Sequence, residues 1–144
     1  MSPSNESLVR RFYDQLWNNW RLDLVDELLS EGIRFRGSLG TICEGRTAFR
    51  EYVRGVRRAF PDWHNQLDEL FSTDDRAVAR LTWTGTHQGE LAGIAPTGRR
   101  VSYVGVALFR VAHERIQDAW IVGDTQKLWQ ALGQLPDPRQ RLIL

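Results

Sequence analysis

Few residues in this chain are placed to move a proton, and none is spaced to hold a metal. The histidines are His64, His87 and His113, 23 and 26 positions apart, so neither His-x-His nor His-x-x-x-His spacing exists. Cys43 is the sole cysteine, which excludes an intrachain disulfide and a Cys-based metal site. Gly85, Gly89, Gly93 and Gly98 form neither phosphate-cradling pattern. What remains is acid–base chemistry. In the alternating run Ala77 to Gln88, one face carries Leu81, Trp83, Gly85 and His87, the other Arg80, Thr82, Thr84 and Thr86. His87 reads either as a general acid/base or oxyanion donor, with a pKa near neutrality, or as a turn histidine bonded to backbone. Further on, regular alternation groups Asp118, Trp120, Val122 and Asp124 on one face. Beside Trp120, Asp124 reads as a desolvated carboxylate with a raised pKa, fit to act as a base. It reads equally as the cap of a helix starting at Thr125. His64 and His113 fall in turns, where surface placement is the expectation, and Arg110 reads as a solvated arginine at the sheet edge.

The elements that must position these groups follow from periodicity. After Ser4 and Asn5, either able to cap a helix, the residues Leu8, Val9, Phe12, Tyr13, Leu16, Trp17 and Trp20 recur at helical steps. A second short helix over Leu22 to Leu29 is expected to stop at Gly32 in a left-handed conformation. Ile33 to Arg36 reads as a short strand. The Gly-rich stretch Gly37 to Gly45 reads as a connection to a third helix, with Phe49, Tyr52, Val53, Val56 and Phe60 on one face and Pro61 ending it. The period then becomes two, and Trp63 to Ser72, Ala77 to Gln88, Arg100 to Val111 and Ile116 to Gly123 read as strands of an antiparallel meander. Thr73 to Arg76 and Ala95 to Gly98 suit the tight turns between them. A helix over Thr125 to Leu132 closes at Gly133. Helices first and strands after indicate an α+β fold, with a single domain over 1–135 and a proline-interrupted tail over 136–144.

Composition narrows the classes further. A chain of 144 residues is one domain with a sizeable core. Charged residues are 26% and the net charge is +1, so no field is set up for nucleic acid or an anionic membrane. No apolar run reaches the ~20 residues of a membrane span or the form of a signal peptide, and with the lone cysteine this predicts a cytoplasmic protein. Six tryptophans exceed what such a core needs, and aromatic rings commonly line sites for flat organic ligands. The basic stretch Arg54, Arg57, Arg58 falls on the polar side of the third helix and keeps it soluble.

Phe12-Tyr13, Trp17-Asn18, Ala59-Phe60-Pro61-Asp62, Gly85-Thr86-His87-Gln88-Gly89, Pro96-Thr97-Gly98, Phe109-Arg110, Trp120, Asp124 and Gln134-Leu135 form an ordered set. This set resembles the SnoaL-like polyketide cyclases, a branch of the nuclear transport factor 2-like superfamily, over roughly residues 5 to 135. The resemblance implies a cone-shaped α+β barrel, three N-terminal helices on a curved antiparallel sheet with a short C-terminal helix, around an apolar pocket. It implies intramolecular aldol closure of an aromatic polyketide ring without metal or cofactor, in a homodimer joined through the convex sheet face. Tyr13, Trp17, Trp83, Tyr103, Ala107 and Trp120 are then expected around the ligand, with His87 and Asp124 as its polar partners. One position departs from the pattern. The cyclases' acid/base aspartate, two residues before the Phe of Phe-Arg, corresponds to Ala107, which cannot transfer a proton and would enlarge the pocket. That departure favours a hydroxylating tailoring relative or a protein that only binds. In the limonene-epoxide-hydrolase branch an Arg is followed two residues on by an Asp, and Arg80 is followed instead by Thr82.

Overall fold

The N-terminal apolar pattern does not run as one regular helix. In the computed structural model, which describes residues 3–134, α1 covers Pro3–Arg11 and continues into a π-helical turn, Phe12–Trp17. The wider turn is closed by the Asn18 N–H donating to the Tyr13 carbonyl at 2.9 Å. Asn5 lies inside α1 rather than capping it, and its side chain donates to the carbonyls of Thr73 and Asp74, both at 2.9 Å. A 3-10 turn, Leu22–Leu24, leads into the single turn of α2, Val25–Leu28. The chain passes straight from α2 into β1, Leu29–Arg36. Gly32 therefore sits within a strand, without the positive φ expected of a helix-terminating glycine. The Gly-rich connection holds a short strand, β2, Ile42–Glu44. The amphipathic α3, Arg46–Ala59, follows.

Period-two patterning places the remaining strands where the sequence indicates: β3 His64–Ser72, β4 Arg76–Thr86, β5 Arg100–Ala112 and β6 Arg115–Gly123, with α4 at Thr125–Ala131. The sheet order is β2-β1-β6-β5-β4-β3. It is a mixed, unclosed sheet and not a wholly antiparallel one, because β1 lies parallel to β6 while every other pair is antiparallel. Pro136 to Leu144, expected as a tail, lies outside the described residues.

Helices cover one sheet face. Phe12 stacks edge-on against Phe109 of β5 at 5.7 Å and meets Phe49 of α3 at 5.9 Å, so one aromatic knot joins helix, helix and sheet. Asn18 and Asn65 tie the end of the π turn to β3. The Asn65 backbone N–H donates to Asn18 Oδ1 at 2.8 Å, and Asn18 Nδ2 donates to the Asn65 carbonyl at 2.9 Å. On the inner face of β5 and β6 two glycines oppose each other, Gly105 and Gly123. A Cβ on Gly105 would stand 2.4 Å from Cζ3 of Trp83, and one on Gly123 2.9 Å from the same atom. Bare backbone is what lets the Trp83 indole lie flat on the sheet.

Candidate functional site

Between the helices and the sheet lies a cavity of about 490 Å³. Its size suits a drug-sized ligand. The π turn contributes Tyr13 and Trp17, β1 contributes Phe35, and α3 contributes Tyr52 and Val56. Trp63, Trp83, Tyr103 and Ile121 complete the sheet side, and Glu90 to Ala92 come from the loop between β4 and β5. The rings are held by one another: Trp17 meets Tyr52 edge-on at 6.2 Å, and Trp83 and Tyr103 lie 5.1 Å apart. Gly37 serves this wall by close approach, since a Cβ there would stand 2.1 Å from the Tyr52 hydroxyl.

Three phenols give this apolar wall its polarity. Burial raises Tyr13 and Tyr52 well above the ordinary tyrosine range, because removing the phenolate from water disfavours it. Burial also pushes Tyr103 up to about 12, partly offset by its 3.1 Å hydrogen bond with Ser38 Oγ. All three stay protonated at neutral pH, so each hydroxyl keeps a proton to donate. Glu90 is the one carboxylate among the described lining residues, and it stands exposed on its loop.

Of the residues singled out from sequence, Tyr13, Trp17, Trp83 and Tyr103 line the cavity. Trp120 does not. It is 42% exposed on the outer face, under the Arg36 guanidinium 4.7 Å from its ring. The β5–β6 register explains this: Trp120 pairs with outward Leu108, and the inward position belongs to Ile121, paired with Ala107. Ala107 points inward as expected but is fully buried; its sheet neighbour Ile121 lines the cavity and Ala107 itself does not. Asp124 is exposed outside the cavity and caps α4, accepting from the Lys127 N–H at 3.3 Å.

His87 is completely buried and packs against Phe60 at 5.7 Å, but is not among the lining residues. Its Nδ1 accepts the Thr97 backbone N–H at 3.1 Å and lies 2.9 Å from Thr97 Oγ1. A backbone N–H can only donate, so the neutral ring carries its proton on Nε2. That N–H has no partner. With the Gly98 N–H donating to the His87 carbonyl at 2.8 Å, His87 pins the loop that carries Glu90. His64 and His113 are on the surface, and His113 with Glu114 takes the positive φ of a tight hairpin. Sequence reasoning missed Tyr52 as a wall residue, having placed it only on the apolar face of α3. It missed Glu90 altogether, because a loop residue carries no periodic signal. No three His, Cys, Asp or Glu side chains among the described residues cluster to hold a metal ion, and no described helix is long and apolar enough to cross a membrane.

The sequence model of the SnoaL-like polyketide cyclases matches residues 7–132. Among solved structures, AclR of Streptomyces galilaeus, a candidate hydroxylase, is 30% identical, with TM-score 0.80 over 94% of this chain and 89% of its own. TsrD of Streptomyces laurentii is 26% identical, with TM-score 0.82 over 94% and 99% of the two chains. A candidate SnoaL-like polyketide cyclase of Jannaschia sp. CCS1 shares the fold at 22% identity, TM-score 0.85, over 94% and 98%. No curated protein matches the chain in sequence.

Proposed function

This chain belongs to the SnoaL-like polyketide cyclase family, and from that premise we propose that it binds a flat aromatic polyketide in its cavity and transforms it by proton transfer, with no resident metal or cofactor. The observation that carries this reading is the wall itself: aromatic rings packed edge-on and tilted against one another, three protonated phenols and one carboxylate. Intramolecular aldol closure needs a base for the proton alpha to one carbonyl and donors for the enolate and alkoxide oxygens. Glu90 takes the proton, Tyr52 and Tyr103 donate to the oxygens, and the enolate carbon attacks the second carbonyl. A phenol then protonates the alkoxide and recovers its proton from Glu90, so substrate and product have the same composition. His87 and Asp124 hold structure in this scheme and carry no proton to the substrate.

The test is mass spectrometry after incubation with anthraquinone methyl esters bearing a ketone side chain. A product of unchanged mass and new retention is expected, with turnover reduced about 100-fold or more by Glu90→Gln. A second reading, a hydroxylating tailoring protein, is favoured by Ala107 at the cyclases' aspartate position and by the 30% identity to AclR. It would produce a gain of one oxygen. Ligand retained without product would leave a binding protein.

Homodimerisation belongs to the same proposal. Phe71, Val104, Leu108, Trp120 and Val122 stand exposed on the outer face of the sheet, and a second copy of this chain would cover them. A buried free thiol, Cys43, suits a reducing cytoplasm.

A further inference from the structure

Two independent observations meet at Trp17. The first is the π turn. At about 100° per residue, a regular helix would carry Trp17 roughly 180° around from Leu8, about one i,i+4 step past Tyr13 and at the edge of the face that Leu8, Phe12, Tyr13 and Leu16 bury. The extra residue of the π turn winds it back by about one step, into the middle of that face. Trp17 is 4% exposed as a result and lines the cavity. Such turns are rare inside helices and concentrate at functional sites.

The second observation is a donor without an acceptor. The Trp17 indole N–H is buried and makes no hydrogen bond. Its ring is boxed by Phe35, Phe49 and Tyr52 at 6.4, 6.0 and 6.2 Å, two of which also line the cavity. A buried N–H left unpaired is unfavourable, so each one in a folded chain calls for an explanation, a ligand acceptor among them.

We infer that the Trp17 indole N–H is the hydrogen-bond donor that fixes a carbonyl or phenolic oxygen of the bound ring system, so that the cavity selects oxygenated polycycles over hydrocarbons of the same shape. This rests on the reading of the cavity as a site for flat aromatic ligands. Tyr52 and Tyr103 donate toward oxygens that change charge, whereas Trp17 holds an oxygen that does not react, and thereby sets which edge of the polycycle faces Glu90. Trp17 is therefore a positioning residue in this scheme.

Equilibrium dialysis of the whole chain against anthraquinone-2-sulfonate and anthracene-2-sulfonate tests the idea, because the two probes share shape and charge and differ in the ring carbonyls. The wild type is expected to prefer the quinone by about five- to tenfold, the effect of one neutral hydrogen bond. Trp17→Phe keeps an aromatic ring and should bring the ratio of the two affinities close to one, whatever the lost indole contact costs both probes alike. A second measurement does not depend on how well the variant folds. In the wild type, the Trp17 indole proton, assigned through its contacts with Phe49 and Tyr52, should move downfield in the NMR spectrum with the quinone and stay with the hydrocarbon. An undiminished preference in Trp17→Phe, or an unmoved indole proton in the quinone complex, overturns the inference. Equal binding of both probes by the wild type overturns it too, yet leaves the cavity as an aromatic site. Binding of neither overturns both readings.

Discussion

Asp124 offers the sharpest separation between a structural and a chemical role. In the structure its carboxylate accepts the Lys127 N–H and caps α4, a helix of seven residues, outside the cavity. Asparagine caps about as well as aspartate, while alanine in place of a capping residue costs ~1 kcal/mol. For a domain of this size that is a fall of about 3 °C in melting temperature. Asp124→Asn should thus melt with the wild type and Asp124→Ala about 3 °C lower, by circular dichroism or calorimetry. Both should turn over substrate within about twofold of the wild type. A carboxylate base would behave otherwise, since the amide cannot take a proton and the loss would be on the order of 100- to 10,000-fold. If Asp124→Asn is as stable as the wild type but inactive, the assignment of Asp124 to the cap and of Glu90 to the chemistry is refuted.

Tyr103 should titrate near 12 in phenolate absorbance, above the usual value for tyrosine of about 10. Because its folded pKa is raised, its contribution to stability is complete below about pH 10 and is lost as the pH climbs toward 12; Tyr103→Phe should flatten that alkaline loss. On the outer face, Leu108→Arg places a cation among Val106, Trp120 and Val122. Light scattering should then find a monomer where the wild type is a dimer, with the melting temperature little changed, and a wild-type monomer would refute the proposed interface.

The long β-strands were legible because alternation over β4 and β5 keeps one phase: Ala77, Ala79, Leu81, Trp83 and Gly85 all face inward, as do Val101, Tyr103, Ala107 and Phe109. In β6 that logic failed for a local reason. The register slips between Arg110 and Val111, where Val111 pairs with Ile116 and Arg110 with Asp118. Gln117 is extra, so Ile116 faces inward while Trp120 and Val122 face out. An apolar outer face hid the slip, since hydrophobicity on both sides leaves the phase undetermined. The parallel pairing of β1 was hidden as well, because sequence patterning reports which face a strand buries and says nothing of its neighbour. For Gly32, the propensity of glycine to end a helix lost to the β1 ladder. Within the site, the aromatic wall was readable from helical and strand spacing. The loop carboxylate Glu90 was not, since its place depends on His87 and Thr97 closing a turn ten residues apart.

The shelf made by Gly105 and Gly123 sets the depth of the cavity by subtraction. Its floor is the Trp83 indole, and the height of that floor is fixed by two missing methyl groups beneath it. A methyl on Gly105 would crowd both the Trp83 ring and the Val122 carbonyl at 2.4 Å, and one on Gly123 would crowd the ring at 2.9 Å, so either would force the floor to shift without any change in the residues that face the ligand. Relatives could thus be tuned to thinner or thicker substrates from underneath, through positions that never touch what is bound.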